Sequence, residues 1–256
     1  MNRWNSLRPV LFIGRLIGLL GIFFIIWDLL VTTNTLYEFF LPRPIRVMEA
    51  AFGIITTGKY SEHIFLTLQT FVLGLLLGSV FGLFIGFMIG EIWFLRSFFM
   101  LYIFIIAAIP KILFYPIIFK IFMQPFWFKV AFVALHAFIF VIIAVLSTLK
   151  NLDASLIIMA KTYGCTGFRL YSKIFWPAAY FSLLASLRMA TISSLVGAIV
   201  ADMLVAPGVG YVVNQLAYRF MVSELYALIA VVALFAIAIN FALLKIEKRS
   251  VKLLRI

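Results

Sequence analysis

The sequence predicts an all-α, polytopic membrane protein with about six transmembrane helices. Of the 256 residues, 66% are apolar and only 12% are charged, whereas a soluble domain has about 45–50% apolar and about 25% charged residues. One soluble core of this size cannot bury so much apolar surface. Six windows are long and apolar enough to cross a bilayer as helices. They are about 10–31, 64–90, 97–121, 126–149, 177–205 and 224–244.

The first window follows Arg3, Arg8 and Arg15, an arrangement that could also begin a signal peptide. The stretch after the window reads "TTNTLYEFF" and contains no small-residue cleavage pattern. We therefore expect the first window to be an uncleaved span.

The second window carries five glycines, each four residues from the next, within "GLLLGSVFGLFIGFMIG". Each step of four advances about 40° past a full helical turn, so the glycines form a slowly winding ridge. Small residues at this spacing let the backbones of membrane helices approach closely. A tight contact within the bundle or across a dimer is predicted, with generic glycine enrichment as the alternative. The ridge residues are Gly74, Gly78, Gly82, Gly86 and Gly90.

Prolines interrupt the third and fourth windows at Pro110, Pro116 and Pro125. Proline breaks or kinks a helix and leaves carbonyl groups unpaired. A bilayer tolerates such a break only where protein or a water-filled cavity covers it. We therefore expect this part of the chain to face the protein interior.

The fifth window contains two charged residues, Arg188 and Asp202, and the first window contains Asp28. A charge at bilayer depth is costly and usually faces a cavity or a partner. Fourteen residues separate Arg188 from Asp202, about 21 Å along a helix, so they cannot pair within one helix. Either both line a hydrophilic pathway, or each side chain reaches its own membrane surface.

The distribution of Lys and Arg predicts which side each loop occupies. With the N-terminus in the cytoplasm and six spans, the inner side carries thirteen of these cations and the outer side seven. Cytoplasmic loops are enriched in Lys and Arg, so both termini are expected in the cytoplasm. The net charge of +12 is explained by these loops and does not indicate nucleic-acid binding.

Motifs that would give the chain its own chemistry are missing. "GIITTGKYS", starting at Gly53, resembles a phosphate-binding loop, but Tyr60 replaces the hydroxyl residue that holds magnesium. His63 and His136 are far apart, and Cys165 is the only cysteine. The sequence therefore predicts no catalytic residue, no metal site and no cofactor bound by this chain.

The segment at about 150–176 is a basic, half-apolar stretch between two apolar windows. Leu152, Leu156, Met159, Ala160 and Tyr163 recur at helical spacing, which predicts a short helix that Gly164 ends by adopting positive φ. A second short helix follows at about 166–175, and Pro177 then opens the fifth span. Such an element could lie on lipid headgroups or bind in a groove of a cytoplasmic partner.

This segment, "LDASLIIMAKTYGCTGFRLYSKIFWPAA", resembles the EAA loop of permease subunits of binding-protein-dependent ABC importers. Ala160, Gly164, Ile174 and Pro177 match that motif, while Ile158 stands where the family has glutamate. "LRMATISSLVGAIVADMLVAPGVGYVV" downstream and "GKYSEHIFLTLQTFVLGLLLGSVFG" upstream resemble the nitrate, sulfonate and taurine branch. The tryptophan-phenylalanine-glycine of that branch is replaced by "KIFMQP".

The resemblance implies a type I importer fold, with residues 1–256 forming one permease domain whose core spans about 64–245. The implied partners are two cytoplasmic ATPase subunits that bind ATP and magnesium, a second permease copy and an external solute-binding protein. The expected substrate is nitrate, a sulfonate, taurine, bicarbonate or a vitamin precursor. The implied coupling and docking residues are Asp153, Leu156, Ala160, Lys161, Gly164, Arg169, Lys173 and Pro177.

Two alternatives from other classes remain at this point. A membrane-embedded enzyme or scaffold would use the 150–176 segment as a lipid-surface element. A secondary carrier would be built from inverted repeats and broken helices, and we find no convincing repeat.

Overall fold

The computed structural model describes the backbone of residues 3–254 and the side chains of residues 14–15, 18–153, 155–180 and 182–249. Four cations used in the orientation count, Arg3, Arg8, Lys252 and Arg255, lie outside the described side chains. Eleven α-helices and no strand occur in the described backbone, which confirms the all-α prediction. The helices are α1 (Arg3–Thr32), α2 (Pro44–Thr57), α3 (Ser61–Gly90), α4 (Trp93–Ala108), α5 (Tyr115–Phe122), α6 (Pro125–Lys150), α7 (Ala154–Thr162), α8 (Phe168–Leu170), α9 (Trp176–Leu204), α10 (Val209–Tyr218) and α11 (Val222–Leu254).

Four helices of the described chain are long and apolar enough to cross a membrane, and a bent pair would make a fifth. The four lie in α3, α6, α9 and α11 and correspond to the second, fourth, fifth and sixth predicted windows. The first window falls on α1, whose described apolar part, Gly18–Thr32, is shorter than a span. Four of the six predicted spans are therefore confirmed as long apolar helices, and the third window corresponds to a bent pair of helices that would count as one broken span.

The third window is two helices, α4 and α5, whose axes differ by 99°. Ile109 is extended, with φ −70° and ψ 131°, because the residue before a proline avoids the helical region. A 3₁₀ turn, Lys111–Phe114, separates the two helices. The expectation that this proline-containing segment faces the interior is wrong for the single chain, since α4 buries only Ile103 and α5 buries no residue.

The chain divides into two compact units. One consists of residues 1–59 and 213–233, and the other of residues 60–212 and 234–256. The single-domain assignment made from the sequence stays a prediction. In the first unit, the Arg43 guanidinium donates to both carboxylate oxygens of Asp28, at 3.0 and 3.2 Å. Asp28, one of the three charges placed inside predicted spans, therefore has its partner in Arg43, the residue directly before α2.

The core of the second unit is built around α6, which packs against α3 and α9. The side chains of Phe128, Phe132 and Val133 on α6 are fully buried. Helices in lipid associate through close packing and polar contacts, because lipid tails are as apolar as the helices themselves. Burial therefore follows helix packing and not apolarity alone, since the windows in α6 and α11 are equally apolar but that of α6 is the most buried of the four and that of α11 is largely exposed.

Candidate functional site

The helix α7 is the short helix predicted in the 150–176 segment, and its first turn is capped. Asp153 precedes the helix and accepts a hydrogen bond from the Ser155 backbone N–H at 2.9 Å. Aspartate is a preferred capping residue because its carboxylate satisfies an otherwise unpaired helical N–H. The same hydrogen bond lowers the pKa of Asp153, so the cap is ionised at neutral pH.

Gly164 ends α7, as the sequence predicts. Its φ is +76°, a conformation that costs an L-residue with a Cβ about 1–2 kcal/mol. The Cys165 N–H donates to the Ala160 carbonyl and the Gly164 N–H donates to the Lys161 carbonyl, both at 2.9 Å. These two bonds form a Schellman motif, which satisfies carbonyls left unpaired at the helix end.

Replacement of Gly164 by alanine is expected to loosen the end of α7 without disturbing any packing. A Cβ there meets no atom within 4 Å, so the cost is the backbone strain alone. We expect the Cys165 amide to exchange with deuterium about tenfold faster, since about 1.4 kcal/mol of lost local stability corresponds to that factor. Gly164→Asn is the matched control, because asparagine tolerates this conformation. Equal exchange in wild type and the alanine variant would contradict the assignment.

The apolar residues of α7 lie on two faces. Leu152, Ile157 and Ala160 pack against the core of the second unit. Met159 and Tyr163 are 54% and 86% exposed. The single apolar stripe drawn from the sequence, which grouped Ala160 with Met159 and Tyr163, is therefore wrong, because a helix on the surface of a bundle presents one face to it and one to solvent.

The exposed face of α7 carries large apolar side chains that nothing in the described chain covers. Ile158, in the glutamate position of the EAA motif, is 65% exposed, and Leu156 is 37% exposed. Lys161 is exposed on the same helix. An apolar surface on a short helix outside the spans is typical of a site that contacts a protein partner or a membrane surface.

The second short helix is not separate from the fifth span. Helix α8 continues through a π-helical turn, Tyr171–Phe175, directly into α9. Pro177 is the second residue of α9, which confirms that it opens the fifth span, although the π turn joins α8 to α9 without a break. Proline is well placed at the start of a helix, where its missing N–H has no intrahelical partner to lose. Leu170 and Phe175 are buried, whereas Arg169 and Lys173 are exposed.

Two sets of contacts that the sequence did not indicate hold this end of the bundle, one from Tyr171 of this segment and one from Arg96 on α4. The Tyr171 hydroxyl donates to the Glu91 carboxylate just beyond α3, and burial together with this bond raises the pKa of Tyr171 to about 12. The Arg96 guanidinium donates to the Gly90 and Leu149 carbonyls at 3.1 and 2.9 Å. One cation thus caps the negative ends of both α3 and α6.

The glycine ridge of α3 lies against α6. A Cβ added at Gly74 would lie 2.6 Å from the Val133 Cβ, and one at Gly82 would lie 3.0 Å from the Val141 Cβ. All five glycines of the ridge are buried. The residues facing Gly74, Gly78, Gly82, Gly86 and Gly90 are, in that order, Val133, Ala137, Val141, Val145 and Leu149.

Arg188 forms an ion pair that the sequence did not indicate. Its Nε lies 3.4 Å from a carboxylate oxygen of Glu247 on α11, and the two side chains are 29% and 26% exposed. The pair lies about twelve residues into α9, roughly 18 Å from the helix start. A role for Arg188 in a solute pathway stays a prediction.

Asp202 lies in a buried polar cluster that the sequence did not indicate, and its role in a solute pathway stays a prediction. Its side chain is fully buried, and one carboxylate oxygen lies 2.8 Å from Lys129 Nζ, itself 4% exposed. Thr67 donates its hydroxyl to the other oxygen at 2.5 Å and accepts the Val209 N–H at 2.9 Å. Lys129 also donates to the Pro207 carbonyl. Every member of the cluster therefore helps to hold the turn between α9 and α10.

The turn after α9 approaches the cluster so closely that two glycines are required. A Cβ on Gly208 would collide with the Asp202 carboxylate, and one on Gly210 would collide with the Ile199 carbonyl. Helix α7 packs near the start of α9, whereas Asp202 lies 26 residues after Trp176, about 39 Å along the axis of α9. Within the described residues, no three His, Cys, Asp or Glu side chains form a group that could hold a metal ion.

Comparisons with known proteins connect these features to transport. Residues 74–255 match the family model "Binding-protein-dependent transport system inner membrane component". This range includes α7, Arg188, Asp202 and the five ridge glycines.

Curated relatives cover nearly the whole chain. A probable ABC transporter permease protein of Haemophilus influenzae is 24% identical over 93% of this chain and 94% of its own. A putative aliphatic sulfonates transport permease protein of Bacillus subtilis is 25% identical over 86% of this chain and 81% of its own. A formylaminopyrimidine transport permease protein of Halalkalibacterium halodurans is 26% identical over 94% of this chain and 93% of its own. The chain therefore belongs to the family of binding-protein-dependent transport system inner membrane components, and it is a multi-pass permease subunit of an ABC importer.

Proposed function

We propose that this permease is driven by two ATPase subunits that bind on α7, with ATP and magnesium held entirely by those subunits. A second permease copy, identical or different, completes the pathway, and an external binding protein delivers the solute. The membrane enzyme or scaffold and the secondary carrier are both set aside, because family membership assigns the chain to the importers.

The exposed apolar face of α7 is the observation that carries this proposal. The helix is capped at both ends by its own residues, Asp153 and Gly164, so its shape does not depend on a partner. Met159 and Tyr163 then present a rigid apolar surface. Docking here rests on apolar contacts and on cations such as Lys161, because Ile158 replaces the family's glutamate.

Co-purification of the ATPase subunit with single variants tests the docking surface. We expect Met159→Asp and Tyr163→Asp to reduce ATPase retention by about tenfold, because a few exposed anchors dominate binding at protein interfaces. Met48→Asp is the matched control, since Met48 is 63% exposed on α2 outside the 150–176 segment. Full retention in both α7 variants, with solute-stimulated ATP hydrolysis intact, would exclude α7 as the docking site.

Cys165 allows the orientation to be tested by thiol labelling without introducing a new cysteine. It is the only cysteine of the chain and directly follows Gly164. If the N- and C-termini and α7 are cytoplasmic, a membrane-impermeant thiol reagent should label inverted vesicles and spare spheroplasts. Cys165→Ser is the background control. Labelling of intact spheroplasts would place α7 outside the cell and would remove the ATPase-docking role.

The proposed substrate is a small anion or a small organic solute. Relatives carry names that refer to aliphatic sulfonates and to formylaminopyrimidine, which fits the expected range from nitrate, taurine and bicarbonate to vitamin precursors. Selectivity would reside mainly in the binding protein, so a thermal-shift screen of that protein against these solutes is the direct test. Arg188 and Asp202 are the candidate pathway residues within this chain.

A further inference from the structure

An apolar cavity with a volume of about 690 Å³ opens beside the 150–176 segment. One wall is the part of α3 that contains Val80, Leu83 and Phe84. The other wall consists of Phe168, Tyr171 and Trp176 at the start of the α8–α9 segment. Sites for small molecules typically have volumes of about 300–1,000 Å³, so the cavity is large enough for part of an acyl chain.

The cavity lies between a membrane span and the segment outside the spans, where lipid meets water. Its α3 wall continues into side chains that are exposed away from α6, with Val80 58% and Phe84 64% exposed. Its other wall belongs to the segment that connects α7 to the fifth span and carries Trp176, which is 47% exposed. Tryptophan and tyrosine are enriched where a span meets the headgroups.

Two exposed cations belong to the segment that forms this second wall. Arg169 and Lys173 are four residues apart, and in the sequence they flank the cavity residues Tyr171 and Ser172. Both are exposed, and within the described side chains neither forms an ion pair. The nearby acid, Glu91, already accepts the Tyr171 hydroxyl. The segment next to the apolar cavity therefore carries net positive charge.

We propose that this cavity binds an anionic phospholipid, with an acyl chain between α3 and Trp176 and the headgroup phosphate at Arg169 and Lys173. Basic residues at this depth attract acidic headgroups, and each contributes about fivefold to binding. A second copy of the chain would fill the apolar walls but would not account for the two exposed cations in the segment beside them. The inference requires only that the chain spans a bilayer, so it is independent of ATPase docking.

Spin-labelled lipids test this site on the full-length permease purified with its accompanying subunits and reconstituted in bilayers. The wild type is expected to immobilise labelled phosphatidylglycerol in preference to labelled phosphatidylcholine. We expect Arg169→Gln with Lys173→Gln to reduce that preference by about 25-fold, about fivefold for each cation removed. The matched control is Lys245→Gln with Lys248→Gln on α11, which should leave it unchanged. An unselective wild type, or a double variant that keeps its preference, would overturn the proposal.

A cavity-filling variant distinguishes lipid binding in the cavity from contact with a second permease copy. Leu83→Trp should displace both labelled lipids, while cross-linking still detects the permease pair. If this variant instead abolishes the pair and leaves the preference for phosphatidylglycerol intact, the cavity is a contact between copies and the lipid proposal is wrong. Because the readout is lipid mobility, loss of ATPase coupling in any variant does not affect the conclusion.

Discussion

Replacement of Gly78 by valine is expected to prevent α3 and α6 from packing. A Cβ at this position would collide with the Ala134 carbonyl oxygen and would lie 2.8 Å from the Ala137 Cβ. The first of these atoms belongs to the backbone of α6 and cannot rotate away. We expect the free energy of unfolding to fall by about 3 kcal/mol, at the upper end of the usual cost of overpacking a core. The measurement is the thermal midpoint of the detergent-solubilised chain, followed by the fraction that remains monodisperse.

The matched control is Gly21→Val on α1, where an added Cβ meets no atom within 4 Å. Both variants place the same branched side chain in an apolar helix, so their helix propensities change equally. A thermal midpoint for Gly78→Val within a degree or so of that for Gly21→Val would contradict the close contact between α3 and α6.

The existence of the glycine ridge could be read from the sequence, but its partner helix was not identified. A signal was present: the residues of α6 that face the ridge are also four apart, from Val133 to Leu149. Two ridges with the same spacing can pack along their full length. Spacing alone does not pair two helices, because other windows also contain apolar residues four apart.

Local signals predicted local structure well. Gly164 ends α7 because a positive φ is a property of one residue and its immediate neighbours. The boundaries of α3, α6 and α9 agree with the predicted windows because span length is set by bilayer thickness. The bend between α4 and α5 was harder, since proline fixes where a helix breaks but not the direction in which the chain continues.

The polar contacts between helices were missed for a physical reason. Arg96 caps α6 from 53 residues away, and Arg188 pairs with Glu247 on another helix. The packing of the helices determines which distant side chains meet, and a single sequence does not show how the helices pack. The sequence did indicate that Arg188 and Asp202 avoid the lipid interior, because an isolated charge in a span is costly, but it pointed to a hydrophilic pathway or the membrane surfaces and not to these partners.

Removal of the Asp202 carboxylate alone is expected to be among the most damaging single changes in the chain. In Asp202→Leu, Lys129 stays buried, with the Pro207 carbonyl as its one remaining partner in the cluster. Breaking a buried ion pair by removing one partner costs about 3–5 kcal/mol, because the other charge is left uncompensated. We expect most of the variant to aggregate on solubilisation, measured as the monodisperse fraction in size-exclusion chromatography.

The double variant Asp202→Leu with Lys129→Met distinguishes a structural role from a role in transport. Replacing both charges by apolar side chains of similar volume is often neutral or stabilising, by up to about 4 kcal/mol. We therefore expect the double variant to recover the folded state that Asp202→Leu loses. If the folded double variant also transports solute, the cluster holds the turn after α9 and Asp202 is not a pathway residue. If the double variant folds but does not transport solute, the carboxylate acts on the solute path. If the single and double variants have equally low monodisperse fractions, the buried ion pair itself is contradicted.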